Sequence, residues 1–280
     1  MARFTNQAQL AYRNRITTSN IAVGEILEVL SAAKHAVVET YESYDVITYV
    51  VNSGTTALTG LVLTDNLGAY TFNEASLFPL QYVANSLKYY VNGVLQTSPV
   101  IASQEPLQIE GFSIPAQGNA VVIYQAALTQ FAPSATNSTI TNQAVISGTG
   151  ISSITVEETI SALAEPILNI TKSISPVPVT ENGALTYTFV IENRGNVPAD
   201  PVDLIVITDQ FNPILSDLTV TFNGTAWAEG TQYTYDQTTG LFTTKAGEIT
   251  VPAATFTQNA DTGAWSVIPG TSTLVITGTV

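Results

Sequence analysis

The sequence predicts an all-β protein of two tandem β-sandwich domains, and three observations carry the prediction: strand-period alternation, turn chemistry between the alternating runs, and an internal repeat. Asp45-Val-Ile-Thr-Tyr-Val-Val, Leu185-Thr-Tyr-Thr-Phe-Val-Ile and Ser272-Thr-Leu-Val-Ile-Thr-Gly-Thr-Val280 alternate with the period of two that half-buries a strand. Between such runs stand Asn52-Ser-Gly, Asn92-Gly, Asn193-Arg-Gly, Asn223-Gly and Asp261-Thr-Gly, each suited to a positive φ or an Asx turn. Helical signals are few, so many short strands in sandwiches follow.

The repeat sets the domain boundaries. Asp45-Val-Ile-Thr-Tyr-Val-Val-Asn-Ser-Gly corresponds to Leu185-Thr-Tyr-Thr-Phe-Val-Ile-Glu-Asn-Arg-Gly, and Gly60-Leu-Val-Leu-Thr-Asp65 to Leu204-Ile-Val-Ile-Thr-Asp209. Lys88-Tyr-Tyr-Val-Asn-Gly likewise matches Leu218-Thr-Val-Thr-Phe-Asn-Gly, and Ile114-Pro-Ala-Gln-Gly matches Ile268-Pro-Gly-Thr-Ser. These matches predict an N-terminal strand and linker over 1–22, a first sandwich over 23–150, a linker over 151–165 and a second sandwich over 166–280.

Upstream, Leu30-Ser-Ala-Ala-Lys34 matches Leu168-Asn-Ile-Thr-Lys172, so two of the four lysines hold equivalent first-strand positions. Leu30, Ala32 and Lys34 share a face, as do Leu168, Ile170 and Lys172, so both lysines point with the core residues. A core-facing lysine either finds a partner or snorkels to the rim.

The copies end differently. Copy one continues through Phe131-Ala-Pro-Ser into a further strand, Ile140-Thr-Asn142-Gln-Ala-Val-Ile-Ser, whereas in copy two the equivalent of Asn142 falls at or beyond Val280. The second sandwich is thereby expected to lack its last strand and to leave an edge open. The other end of the chain carries a candidate: Phe4-Thr-Asn6-Gln-Ala-Gln-Leu-Ala resembles the Asn142 segment. Phe4, Asn6, Ala8 and Leu10 share a face, as do Ile140, Asn142, Ala144 and Ile146, and each segment stands one linker ahead of the next lysine strand. The expectation is a donor strand, residues 4–12 of one subunit completing the second domain of its neighbour. Such a contact is head-to-tail and makes an open filament unless it closes into a ring. The plainer alternative is an ordinary first strand or frayed arm of copy one.

Composition excludes much else. The 280 residues hold 22 Asp plus Glu against 8 Lys plus Arg, a net charge of −14, with one His and no Cys. The acidic balance argues against nucleic acid and against an anionic membrane surface. No apolar run approaches a membrane span, and the N-terminus has no apolar core of a secretion signal. Without Cys and with His35 alone there are no disulfides, no thiol nucleophile and no two-histidine metal site, so no cofactor and no metal are expected. His35 alternates to the outer face. The acidic residues lack calcium-loop spacing, and the sequons at Asn137, Asn169 and Asn223 arise easily in Thr-rich sequence.

The pattern of Lys172, Leu185-Thr-Tyr-Thr-Phe-Val-Ile-Glu-Asn-Arg-Gly and Val206-Ile-Thr-Asp209 resembles the conserved-repeat domain of unknown function of bacterial surface proteins, an immunoglobulin-like sandwich. The resemblance covers residues 26–150 and 166–280. A two-copy, cysteine-free chain further resembles the major appendage proteins of clostridial spores. The resemblance implies an extracellular, spore-surface location and isopeptide bonds between Lys and Asn assisted by a carboxyl group. A desolvated lysine can be a neutral amine nucleophile, and a carboxyl in the same apolar pocket can polarise the Asn carbonyl. Lys34, Asn142 and Asp65 are the expected set in copy one; Lys172, Asp209 and Asn6 of a neighbouring subunit are the set in copy two. Glu42 and Glu181 are alternative helpers. The competing readings are a turn-capping role for Asp65 and Asp209, and amides of Asn6 and Asn142 satisfied by backbone.

The expected function is thus a self-polymerising filament subunit, not a turnover enzyme. Two rivals stand beside it: a monomeric stalk or adhesin module using Tyr82, Tyr89, Tyr90, Trp227, Tyr233 and Trp265 for a carbohydrate or protein ligand, and a carbohydrate-active enzyme.

Overall fold

The structure is a computed structural model that describes residues 2–12, 15–26, 28–40 and 43–280. It is all-β apart from a single 3-10 turn at Pro201–Asp203 among those residues, and no helix is long and apolar enough to cross a membrane. Two compact units are present: Met1–Ala132 with Thr139–Ile160, and Pro133–Ser138 with Ser161–Val280.

The first unit is a sandwich. One sheet runs Leu30–Thr40, Ser43–Asn52, Gly118–Leu128, Lys88–Val91 and Val94–Gln96 in spatial order, all antiparallel. The facing sheet runs Val100–Gln104, Leu107–Ile114, Leu58–Asp65, Thr139–Ser147 and Ile154–Ser161. Alternation decides which side chains meet between them. Gly118–Leu128 buries every second residue, and Val46, Leu63, Ile109, Val122 and Ile146 are fully enclosed.

The second unit repeats the lysine sheet as Leu168–Ser175, Ala184–Asn193, Gly270–Thr279, Ser216–Phe222 and Thr225–Trp227. Registers agree residue for residue: Leu30 faces Asn52 and Lys34 faces Thr48, while Leu168 faces Asn193 and Lys172 faces Phe189. Asn52 and Asn193 explain why both strands turn at the same place. Asn52 accepts from Gly54 N (3.0 Å) and donates to Thr56 O (2.9 Å) and Pro115 O (3.0 Å). Asn193 accepts from Gly195 N (2.9 Å) and Ile167 N (3.0 Å) and donates to Val197 O (2.8 Å). The two buried amides replace backbone partners that a tight turn cannot supply.

The facing sheet of the second unit has three strands, Thr208–Gln210, Leu241–Thr244 and Tyr233–Asp236. Its core is aromatic: Phe211 stacks on Tyr187 at 4.8 Å between centroids and contacts Tyr235 and Phe242. The run Leu204–Asp209, the repeat match of Gly60–Asp65, is strand only from Thr208, and Leu204 takes a left-handed backbone with φ 52° after the 3-10 turn. Its counterpart Leu58–Asp65 is laddered on both sides, by Leu107–Ile114 and Thr139–Ser147, whereas Thr208–Gln210 has a partner on one side alone. An unpaired ladder edge leaves the backbone free to leave strand geometry.

Two expectations change. Residues 151–165, expected as a linker, contain the edge strand Ile154–Ser161 of the first unit's sheet; its outward Thr155, Glu157 and Thr159 make it polar in composition while Ile160 is buried. The N-terminal segment, expected as one strand and linker to residue 22, is a hairpin reaching Ile26: Ala2–Asn6 pairs with Ala22–Ile26, and Gln9–Tyr12 with Arg15–Thr18. Residues 5–11 and 15–23 are exposed.

Candidate functional site

Lys34 projects from Leu30–Thr40 into the first sandwich, where its Nζ pairs with Asp65 Oδ2; both side chains are fully buried. Asp65 ends its strand and does two jobs. Its Oδ1 accepts from Leu67 N at 2.8 Å, the expected turn cap, while Oδ2 also accepts from Tyr124 Oη at 2.5 Å. Asn142 stands on the adjacent strand, two residues from Ala144, whose Cα faces Asp65. It is fully buried, and neither its Oδ1 nor its Nδ2 makes a hydrogen bond. The backbone-satisfied alternative is therefore not what the structure has. Its amide lies near enough to Tyr124 to act on that hydroxyl.

The electrostatics follow from burial. Desolvation holds the Lys34 amine below the ordinary lysine range, against the opposing pull of Asp65 and Glu158. Tyr124 is pushed well above the usual phenol value by burial and then by the Asp65 charge and hydrogen bond. An amine whose charged form burial disfavours, a carboxyl in contact with it and an amide with unspent polar atoms therefore lie together in one dry interior. That set can exchange an amide nitrogen.

In the second unit Lys172 Nζ pairs with Asp209 Oδ2, matching Lys34 and Asp65. Its surroundings differ. The Nζ lies 4.4 Å from the Tyr187 ring centroid, 5.4 Å from Phe189 and 5.6 Å from Phe211, and its side chain is 39% exposed. The strand Leu168–Ser175 is exposed at every position: Leu168 is 38% accessible where its counterpart Leu30 is 9%. The second unit has no counterpart of Thr139–Ser147 or Ile154–Ser161 among the described residues. Asn6 is exposed and faces Ala22 across the hairpin. Of the alternative helpers, Glu181 is exposed, and Glu42 lies outside the described residues.

Sequence reasoning missed the tyrosines. Tyr124 faces Val46 across the first lysine sheet; at the same register of the second, Tyr187 faces Ile276. The tyrosine has changed strands with its aliphatic partner. In both units it attends the aspartate, by a hydrogen bond in one and in the other through the Asp209 charge, which after burial raises the Tyr187 hydroxyl. Alternation on a core strand marks each as inward, but the pairing of strands is needed to see them as one feature.

The aromatics of the adhesin alternative are largely interior. Tyr82, Tyr89 and Tyr233 are buried, Tyr82 against Tyr124, Tyr89 against Phe112 and Tyr233 against Phe242, and Trp227 stacks on Phe222. Tyr82, Tyr89 and Tyr233 are therefore core side chains, whereas Tyr90, Trp227 and Trp265 are half-buried.

No family profile matches the chain, and no curated protein matches it in sequence. Similar solved structures include the major pilin subunit BcpA of Bacillus cereus, at 10% identity and TM-score 0.35 over 96% of this chain and 73% of that one. The pilus backbone RrgB of Streptococcus pneumoniae is similar at 9% identity and TM-score 0.31, over 86% and 54%. The collagen-binding domain of a Staphylococcus aureus adhesin is similar at 10% identity and TM-score 0.31, over 49% and 99%. Likeness at this level carries no argument about function, which rests on the chain's own geometry.

Proposed function

We propose that this chain is the structural subunit of an extracellular filament. It polymerises head-to-tail when the N-terminal arm of one subunit completes the open second sandwich of the next, and Lys–Asn isopeptide bonds lock it. The spore surface is the location that the spore-appendage resemblance implies. One observation supports the reading above others: the same Lys–Asp pair, in the same register, is sealed beneath an asparagine-bearing strand in one unit and lies open in the other.

Within the first unit, Lys34 Nζ attacks Asn142 Cγ. The new amide forms as the Cγ–Nδ2 bond breaks, and Nδ2 leaves as ammonia with the proton surrendered by the amine, relayed by Asp65. Tyr124 holds the carboxyl in place. Between subunits, Lys172 and Asp209 perform the same exchange on Asn6 of the neighbour. The chain catalyses nothing beyond its own cross-links.

Intact mass is the direct test. Each bond removes one ammonia, so the purified protein is lighter than its sequence by one ammonia for the internal bond, and Asn142→Ala restores that mass. Lys172→Ala removes the ladder that survives boiling in detergent, and deletion of residues 1–12 abolishes fibres. An unaltered mass sinks the cross-links, and fibres that persist without residues 1–12 sink donor exchange.

A further inference from the structure

The first sandwich ends not in a strand but in a hairpin. Thr139–Ser147 and Ile154–Ser161 are neighbours in one sheet; Ala162 N donates to Ser138 O at 2.9 Å, and Thr141 Oγ1 lies 3.4 Å from Thr159 Oγ1. That register sets Asn142 opposite Glu158. In the N-terminal hairpin Asn6 is opposite Ala22, the same number of residues further on. Over Ala2–Asn6 the arm and the closing hairpin of the first unit therefore share not only part of a tetrapeptide but a strand-pairing register, which in the arm shifts by one residue at Gln9–Tyr12.

We infer that the donated element is a strand pair, Ala2–Asn6 together with Ala22–Ile26, and that it replaces both strands missing from the second sandwich of a second copy of this chain. This rests on the donor reading above. The outer strand has a task that a lone inner strand would leave undone. In the first unit Ile154, Val156 and Ile160 of the outer strand pack into the core, and Glu158 acts on Lys34 and approaches His35 Nδ1 at 3.9 Å. The outer strand thus lies over the lysine strand. In the second unit that strand is uncovered, with Leu168, Ile170 and Ile174 at 38%, 47% and 45% accessibility.

Equivalence fixes the intermolecular register. Ala8 of the donor faces Asp209 of the acceptor, as Ala144 faces Asp65. Ala22 of the donor lies beside Ser173 of the acceptor, as Glu158 lies beside His35. The donor's outer segment is smaller and more polar, with Thr18, Asn20 and Gly24 in the places of Ile154, Val156 and Ile160, and it is beside the lysine that the volumes complement one another. Where the first unit has Thr48 opposite its lysine, the second has Phe189, and the donor's outer strand carries Ala22 and Gly24 where the first unit carries Glu158 and Ile160.

The test uses all 280 residues, whose lack of cysteine makes introduced thiols unique. In the Asn6→Ala background, which removes the intermolecular amide, Ala22→Cys and Ser173→Cys are introduced together and assembled fibres are treated with a short bismaleimide. A denaturing gel is expected to show a ladder of cross-linked multimers; fibres that assemble but give only monomer overturn the hairpin. A second variant, Thr5→Cys with Val23→Cys, joins residues that face each other across the hairpin. Oxidised and reduced forms are expected to polymerise alike. Assembly that requires the reduced form means that the hairpin opens and a single strand enters, which also overturns the inference. Failure of donor exchange itself reads out differently, as fibres that form without residues 1–12.

Discussion

Lys34 and Lys172 occupy one position in two copies of a sheet, each holding an aspartate, yet the first side chain is fully buried and the second is 39% exposed. The difference is two strands. A fold that buries a lysine in one copy and leaves its twin uncovered presents an open face built from its own interior pattern. Ile170 lies on that face, 47% accessible, next in the alternation to Lys172. Ile170→Asp is expected to leave the monomer's melting temperature within about 1 °C, since exposed substitutions typically cost within ~0.5 kcal/mol, and to abolish fibres seen by electron microscopy. Fibres of normal length would remove this face from the assembly.

Asn142 gives a second prediction. Two buried amide atoms without partners each cost about 1–3 kcal/mol, so in an unreacted core Asn142→Leu should stabilise the protein. In a cross-linked core the same change removes a bond closing a loop on the order of 100 residues, worth about 4–5 kcal/mol on chain-entropy grounds. The expected outcome is a lower denaturant midpoint for Asn142→Leu, measured by fluorescence. A higher midpoint means that no bond forms.

Tyr124 donates to Asp65 at 2.5 Å from a strand that the lysine strand does not touch directly. Tyr124→Phe keeps the ring and removes the hydroxyl, so Asp65 Oδ2 retains Lys34 alone. A hydrogen bond to a charged acceptor is worth about 1.5–3 kcal/mol, and part of that positions the carboxyl. Bond formation after refolding, followed by loss of one ammonia in intact mass, is expected to slow by about tenfold while still reaching completion. An unchanged rate would reduce Tyr124 to packing.

How far the sequence shows this site depends on how local each feature is. Lys34, Lys172 and the Asn52 and Asn193 turns are legible because alternation and turn chemistry act within a few residues. The tyrosine exchange between Tyr124 and Tyr187 is hidden, since it links positions on different strands. Ile154–Ser161 reads as linker because an edge strand shows water its Thr and Glu side chains, and the arm reads as one strand because no Asn-Gly or Asp-Gly marks its turn. Asp65 is open to two readings from the sequence, and its oxygens divide between them: Oδ1 caps the turn at Leu67 N and Oδ2 meets Lys34 Nζ.

The lowered Lys34 amine sets a pH dependence with a definite sign. Burial favours the neutral amine, so below its folded pKa the protonated group costs stability, and that cost is relieved as pH rises towards the unfolded value of 10.5. Tyr124 works the other way: raised above 10.0, it loses stability once the unfolded phenol begins to ionise. In Asn142→Ala, which has no cross-link, the melting temperature is therefore expected to rise with pH through the alkaline range and turn over near the phenol value. The cross-linking rate of the unsubstituted chain should rise over the same interval, because only the neutral amine attacks. A rate that falls as pH rises would mean that deprotonating the amine does not activate the reaction, and would remove Lys34 as the nucleophile.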